Sequence, residues 1–548
     1  MLGQTTRYLR SRLTRHDPFD LASVLLLGAL VLLALMLVGD YAISNDEEAQ
    51  HFYGELILSY FTSGFTDERL FGFRNLYLYG GLFDIIAVLL GRVLPIEIYL
   101  IRHVLCALTG IGGIAAAWAT ARLIAGPRAG MLAALSLAIC GPWFGTMFNH
   151  TKDIPFAAAM MGATYFLCRA ARALPRPRVG DILGFGLLLG AALGLRAMGL
   201  LLVLYGLLAI ALRIPRPTAG STAARFLVRS LASFLPAFVL GYLIMILAWP
   251  WAALDLFNPV RAIFAFADFH YPIRTLLSGE VYDMASVPRW YVPTYLAIKL
   301  PLAMLLGAVL AMFFALGQAR WPASTITAQR RGETGFIAIA ALFPVLCQVI
   351  GHGPAFTGMR HFLFVVPPLA VLAGIGFDEA LNWLATRRRA LALGASAAIG
   401  IWFLWNTSLL VRLHPYEYMF YNPIVGGLEG AVRRYEADYW VNIMPEAVDE
   451  LEAFVARSEH DPNKRFTVAV CGERLPFEKE AHAPLQWSTN WDRADFYIAP
   501  THMGCDRVLN GNIVVTIERL GVVIGVVKDL RGLPTAARWP PIEIARKH

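Results

Sequence analysis

The chain has 548 residues, 57% of them hydrophobic and only 16% charged. Soluble globular proteins carry about 45–50% apolar residues, and the excess here comes as uninterrupted runs of roughly 17–25 residues, the length that crosses a hydrocarbon core. This pattern excludes an ordinary soluble protein and predicts a polytopic α-helical membrane protein. The net charge of +8 comes mostly from arginines between the runs, which fits the positive-inside rule and gives no reason to invoke nucleic acid.

Arg7, Arg10, Arg12 and Arg15 precede the first run, Leu21–Val38, and place the N-terminus in the cytoplasm. The run is too long for a signal-peptide core and lacks a small-x-small cleavage site before the acidic segment. It leads into Ile43-Ser44-Asn45-Asp46-Glu47-Glu48, at the start of a first outer loop, 43–97. Acids at the exit of a span are costly unless they face water or do chemistry. Leu76–Leu94 is apolar but holds Asp84 and several glycines. Read as an outer juxtamembrane helix, it leaves every later Arg-rich loop in the cytoplasm; read as a span, it would flip them all. Arg69, Arg74 and Arg92 then stay outside, partly offset by Asp67, Glu68 and Glu97.

The further spans are Ile98–Thr120, Met131–Phe148, Ile154–Ala170, Ile182–Leu195, Ala197–Leu212, Leu231–Ala248, Tyr291–Leu316, Phe336–Ile350, Phe362–Leu384 and Leu391–Leu410, about eleven in all. The inside loops carry Arg122/Arg128, Arg169/Arg172/Arg176/Arg178, Arg213/Arg216/Arg225/Arg229, Arg320/Arg330/Arg331 and Arg387/Arg388/Arg389. Arg196 marks an outer hairpin tip between two short spans. A second polar outer loop reads Asn149-His150-Thr151-Lys152-Asp153-Ile154-Pro155. A later outer loop, 250–290, carries Phe264, Phe266, Phe269 and Tyr271 and could fold over a site, while Trp249, Trp251, Trp290 and Tyr291 suit an interface belt.

The transmembrane part is expected to be 1–412. From 413 to 548 the character changes to a small α/β domain on the outer, periplasmic side of a cytoplasmic (inner) membrane. Phe466–Cys471, Phe496–Ala499, Ile513–Ile517 and Gly521–Val527 read as strands, and Glu446–Arg457 has helical periodicity. Cys106, Cys140, Cys168 and Cys347 lie in apolar runs as small core residues. Cys471 and Cys505 lie in the polar part, where an extracytoplasmic location would permit them to pair.

This topology gathers Asp46, Glu47, Glu48 and Asp153 on one face with Lys152, Arg196, Lys299 and Arg360, and with His150, His352 and His361 nearby. A carboxylate can deprotonate a nucleophile, and arginines at the membrane boundary can hold a phosphate. The combination suits a reaction on a lipid-linked phosphate without identifying the transferred group. Each feature also has a plainer account. Asp46-Glu47 could cap or begin a helix, Lys152-Asp153 could start one ahead of Pro155, and Arg196 or Arg360 could reach to headgroups. No ligand spacing joins the histidines.

Asp46-Glu47 after the first span resembles the acidic motif of the GT-C glycosyltransferases. Within them the chain is most similar to the protein O-mannosyltransferase and aminoarabinose transferase group. Leu76–Leu94 followed by Arg102, Lys152-Asp153-Ile154-Pro155, Gly194-Leu195-Arg196, Pro288–Pro293 with Lys299-Leu300-Pro301, and Arg360-His361-Phe362 with Pro367-Pro368 resemble that group's elements in order. His414-Pro415-Tyr416 and Tyr421–Gly427 resemble bacterial members with a soluble tail. The resemblance implies a membrane glycosyltransferase that moves a sugar from a polyprenyl-phosphate donor to a protein, lipid or glycan acceptor by one inverting displacement. It implies Asp46 as base, with Glu47 and Asp153 completing the catalytic acids, and Arg196, Arg360, Lys152 and His361 on the donor phosphate. Some members hold a divalent cation on the paired acids. Asp46, Glu47 and Asp153 would be the ligands here, fewer oxygens than hard cations usually take. The competing expectation is a transporter or lipid flippase whose acids and arginines line a substrate path. That reading expects charges buried mid-span and an internal repeat, which is not evident.

Overall fold

The computed structural model describes residues 17–214, 220–267, 272–317, 327–461 and 463–540. The N-terminal arginines, Arg216, Arg320, Phe269 and Tyr271 lie outside the described residues.

Helices form where the apolar runs are bounded by caps and breakers. Pro18–Leu37 (α1) starts at Asp17, whose carboxylate accepts from the Phe19 N–H, with proline at the first helical position. Glu47–Thr62 (α2), Leu82–Val93 (α3), Ile98–Ala125 (α4), Pro127–Ala138 (α5), Asp153–Arg172 (α6), Val179–Leu193 (α7), Leu201–Ala211 (α8) and Gly220–Ala248 (α9) follow. Then come Tyr291–Lys299 (α10), Leu302–Gly317 (α11), Ala328–Gly351 (α12), Val366–Arg387 (α13) and Arg389–Leu413 (α14). Among the described residues seven helical segments are long and apolar enough to span, and nine if two bent pairs each count as one. One pair, α10 with α11, bends by 111° around Leu300-Pro301. Two of the eleven expected spans fall short. Ile182–Leu195 and Ala197–Leu212 correspond to α7, of 15 residues, and α8, of 11 residues, whereas a full crossing takes about 20. The chain is an integral membrane protein with seven to nine full-length candidate spans.

Leu82–Val93 is not one of them. Its 12 residues rise about 18 Å, well short of a hydrocarbon core of about 30 Å. The helix is stitched to the ends of two neighbours, with Gly81 N donating to Ala248 O (2.9 Å) and Leu82 N to Gly194 O (3.0 Å). It therefore sits at the bundle end where α7 and α9 finish.

In lipid, apolarity does not separate inside from outside; close packing does. In one 18-residue stretch of Arg360–Arg387, 89% of the residues are buried, so this segment lies inside the bundle, whereas in α14 the share is 11% and the helix is peripheral. Gly374 and Gly376 make the central position possible, because a Cβ on Gly376 would lie 1.9 Å from Gly307 O and one on Gly374 2.3 Å from Ala129 O. At the far end of the bundle, arginines that the sequence assigns to inner loops are tied to acids. Arg128 and Arg330 meet Asp378, and Arg172 and Arg213 meet Glu333.

Residues beyond His414 pack onto the bundle end that holds α3. Tyr416, Tyr418, Phe420, Tyr435 and Ile443 share one continuous core with the helices. Met444–Ser458 (α15) leads into a five-stranded sheet of Phe466–Val470 (β3), Leu485–Trp487 (β4), Phe496–Pro500 (β5), Asn512–Arg519 (β6) and Val522–Asp529 (β7), in order β4-β3-β5-β7-β6. A separate hairpin, Arg274–Leu277 (β1) with Glu280–Asp283 (β2), lies between α9 and α10. The four expected strands are present; β4, three residues long, is too brief to show periodicity. Cys471 and Cys505 form a disulfide.

Candidate active site

Successive helical residues turn by about 100°, so the three acids at the start of α2 face three ways. Asp46 stands at the N-cap without making a side-chain capping bond. Its half-exposed carboxylate instead reaches Arg360 Nη2 at 2.6 Å. Glu47 is fully buried. Its Oε1 accepts from Ser44 N (2.9 Å) and pairs with His103 Nε2 (3.0 Å), and its Oε2 faces Arg102 Nε at 3.4 Å. Glu48 is exposed. Burial alone would raise the Glu47 carboxyl, but His103 and Arg102 outweigh it and hold the group below its ordinary value.

Arg102 lies within a long apolar run and is wholly buried. Its Nη2 donates to Asp84 Oδ1 (3.0 Å), Thr151 Oγ1 (3.1 Å) and Gln50 Oε1 (3.3 Å). Asp84, on α3, is equally buried, and burial raises its carboxyl despite Arg102 and Lys152. One arginine thus ties α2, α3, α4 and the loop before α6 into a single floor.

On that floor, Asp153 opens α6 in its first turn, a favourable place for an acid. Its Oδ1 pairs with Arg196, and its Oδ2 accepts from Arg360 Nε at 2.8 Å. Arg360 therefore bridges Asp46 and Asp153. Arg196 sits on extended backbone just after α7. Lys152 is buried with its Nζ 4.7 Å from the Tyr79 ring centre, and the Arg196 guanidinium lies 5.7 Å from the same ring. Burial lowers Lys152 to about 8.

These groups surround a cavity of about 200 Å³ whose wall includes Asp46, Arg74, Lys152, Arg196, Arg360 and His361. Four basic side chains face it. A second cavity, of about 170 Å³, shares Tyr79, Arg196, Phe356 and His361 with the first and is otherwise lined mostly by apolar groups such as Phe156, Ile263 and Phe364. Ile273, just before β1, reaches the first cavity, and Ile263 and Phe266 reach the second, so described parts of the segment 250–290 lie against the site.

Of the acids and cations expected here, Asp46, Lys152, Asp153, Arg196, Arg360 and His361 converge. Others stand apart. Glu47 is buried behind the cavity, and Lys299 donates to Tyr418 O at 2.8 Å. His352 pairs with Val287 O at 2.8 Å. His150 is held by Tyr439 and Trp440. A divalent ion does not fit this donor set. Asp46 and Asp153 already carry guanidinium partners, Glu47 points into the protein, and no three ligating side chains cluster among the described residues.

Tyr79, Gln50 and Phe356 also line the first cavity and do not stand out in the sequence; Arg74 lines it too, and the sequence marks it only as an arginine at odds with the charge rule. Arg102 does carry a usable signal, because an arginine inside an apolar helix needs a buried acid partner. Trp440, whose ring centre lies 4.2 Å from the Arg360 guanidinium, carries none.

Residues 98–228 match the model of the family described as dolichyl-phosphate-mannose-protein mannosyltransferase. No curated protein matches the chain. Among solved structures it is similar to ArnT from Cupriavidus metallidurans bound to undecaprenyl phosphate, at 15% identity and a TM-score of 0.47, covering 94% of this chain and 99% of that one. It is also similar to the Archaeoglobus fulgidus oligosaccharyltransferase in the apo form (11% identity, TM-score 0.48, 86% of this chain and 65% of that one). A third is the arabinofuranosyltransferase AftD from Mycobacteria (12% identity, TM-score 0.42, 92% and 39%). The segment that matches this family model also supplies Lys152 and Arg196 to the cavity wall, and Asp153, which pairs with Arg196 and Arg360 beside it.

Proposed function

We propose that this protein is a glycosyltransferase that moves a sugar from a polyprenyl-phosphate donor to an acceptor hydroxyl or amine in a single inverting displacement. The observation that carries the reading is the cavity in which a half-exposed carboxylate, Asp46, stands beside Arg74, Lys152, Arg196 and Arg360. Two acids against four basic groups leave an excess of positive charge, which suits an anionic ligand. The adjoining apolar cavity beside Arg196 and His361 suits the first isoprenes of a lipid carrier.

In this mechanism Asp46 accepts the proton of the acceptor nucleophile as its lone pair forms the new bond to the anomeric carbon. The bond from that carbon to the phosphate oxygen breaks with its electron pair, and polyprenyl phosphate leaves as an anion. Arg360, Arg196, Lys152 and His361 hold the phosphate, and preorganised cations at a developing negative charge can supply several kcal/mol. Asp153 is locked between two arginines and therefore orients them; it is not the base. Glu47 and Arg102 support the floor. No step uses a metal. The site would work on the outer face of the cytoplasmic membrane, with the N-terminus in the cytoplasm and the C-terminal unit, 413–548, outside.

Mass spectrometry of glycans and lipids from cells with and without the gene tests this. A sugar present only with the wild-type gene, and absent with D46N at equal protein level, is the expected result. Identical profiles in all three strains would refute it.

A further inference from the structure

We infer that Trp440 is a positioning residue for the donor phosphate: its indole supports the Arg360 guanidinium and makes phosphate recognition in the helix bundle depend on the segment that leads into the C-terminal unit. The inference rests on the reading of Arg360 as a phosphate ligand.

The Arg360 guanidinium lies 4.2 Å from the indole ring centre, and both side chains are nearly buried. Its Nε goes to Asp153 and its Nη2 to Asp46, while Nη1 has no hydrogen bond among the described residues. An aromatic surface steadies a guanidinium through its charge and planar shape without consuming an N–H. Trp440 can therefore hold Arg360 still while leaving Nη1 for an incoming anion.

The indole is itself fixed. Its Nε1 donates to His150 Nε2 at 2.6 Å. Tyr439 OH lies 2.9 Å from the same nitrogen. The indole N–H can only donate and so requires Nε2 to be an acceptor, which puts the ring proton on Nδ1, facing Asn149 Oδ1 at 3.1 Å. Burial pushes His150 down to about 3, so this neutral form is kept through the physiological range. Asn149 in turn donates to Asn442 Oδ1 at 2.9 Å. Between Trp440 and Asn442, Val441 adopts φ 57°, a left-handed conformation that a β-branched residue rarely takes. Asp438 holds the turn by accepting from Asn442 N (2.8 Å) and Ile443 N (3.1 Å). Filling the core with an aromatic group does not need a strained valine or a histidine aimed at the indole nitrogen. Such strain persists where the surroundings over-determine the backbone, often at functional sites.

The test uses full-length protein in detergent micelles, with a polyprenyl monophosphate as probe. W440L is expected to weaken binding of the probe by about ten- to thirty-fold, the loss of a desolvated cation–aromatic contact. W440F, which keeps an aromatic face, is expected to recover most of that loss. Unchanged probe affinity in W440L, with R360M weakened, would overturn the inference and leave the phosphate reading standing. Unchanged affinity in R360M would instead remove the reading beneath it. The indole emission of wild type minus W440F gives a measurement that does not depend on W440L folding. The probe is expected to shift that difference spectrum, and a difference spectrum that ignores the probe would also overturn the inference.

Discussion

Asp46 and Glu47 are neighbours of the same chemistry with opposite expected roles, and removing each charge in turn separates them. Asp46 is half exposed and makes one ion pair, with Arg360. Solvent reaches the Asp46 carboxylate, and in D46N the nearly buried Arg360 still has Asp153 as its acid partner at 2.8 Å, so no buried charge is left unpaired and D46N should melt within a few degrees of wild type. If Asp46 is the base, transfer should fall by about 10²–10⁴, which corresponds to roughly 3–5 kcal/mol of barrier. Glu47 is wholly buried against Arg102 and His103. E47Q leaves Arg102 with Asp84 as its one remaining acid, and breaking a buried pair costs about 3–5 kcal/mol. The lowered carboxyl of Glu47 also gives a sign. Its ionised form stabilises the fold above about pH 4 and that contribution is lost as pH falls through and below the ordinary glutamate range. E47Q should therefore lose stability at neutral pH and show a flatter acid limb. Thermal unfolding in detergent across pH, with transfer assayed in membranes at matched protein level, reads both effects. A stable and active E47Q beside an active D46N would refute the division of roles.

Burial of Lys152, lowered to about 8, predicts that affinity for the phosphate probe falls as pH rises through about 8, because the ammonium is then lost. K152R should move that limb to higher pH and K152M should abolish it; an unshifted limb in K152R would assign the titration elsewhere. Replacing Cys471 and Cys505 with serine opens a link across 34 residues of chain and should cost about 2–4 kcal/mol, read as a lower melting point that reductant no longer changes. Topology reporters inserted after Phe73 and after Val93 should report the same side of the membrane, since α3 is too short to cross; opposite sides would contradict the placement of α3.

Much of the site was legible because charge is expensive beside lipid. Asp46, Lys152, Asp153, Arg196 and Arg360 are conspicuous at the ends of apolar runs, and they do meet. Which of three consecutive acids faces the cavity was not legible, since it depends on the rotational phase of α2. In the sequence Asp84 looks like a charge on a surface helix, and its burial depends on pairing with Arg102, 18 residues away. Trp440 meets a histidine 290 residues earlier, a separation that no local pattern encodes. The break between α7 and α8 at Arg196 is legible as a charge between two short apolar runs, but composition does not reveal that runs of this length stop short of a full crossing.

The double clamp on Asp153 has a consequence for biogenesis. The acid lies 43 residues before one arginine and 207 before the other. Chains emerge at about 5–20 residues per second, so Arg196 follows Asp153 within seconds, whereas Arg360 comes roughly ten to forty seconds after it. During that interval Arg196 is the one of the two partners already made that could neutralise this carboxylate. Loss of Arg196 should therefore reduce the yield of inserted protein more than loss of Arg360, even though both arginines serve the same cavity once the chain is complete.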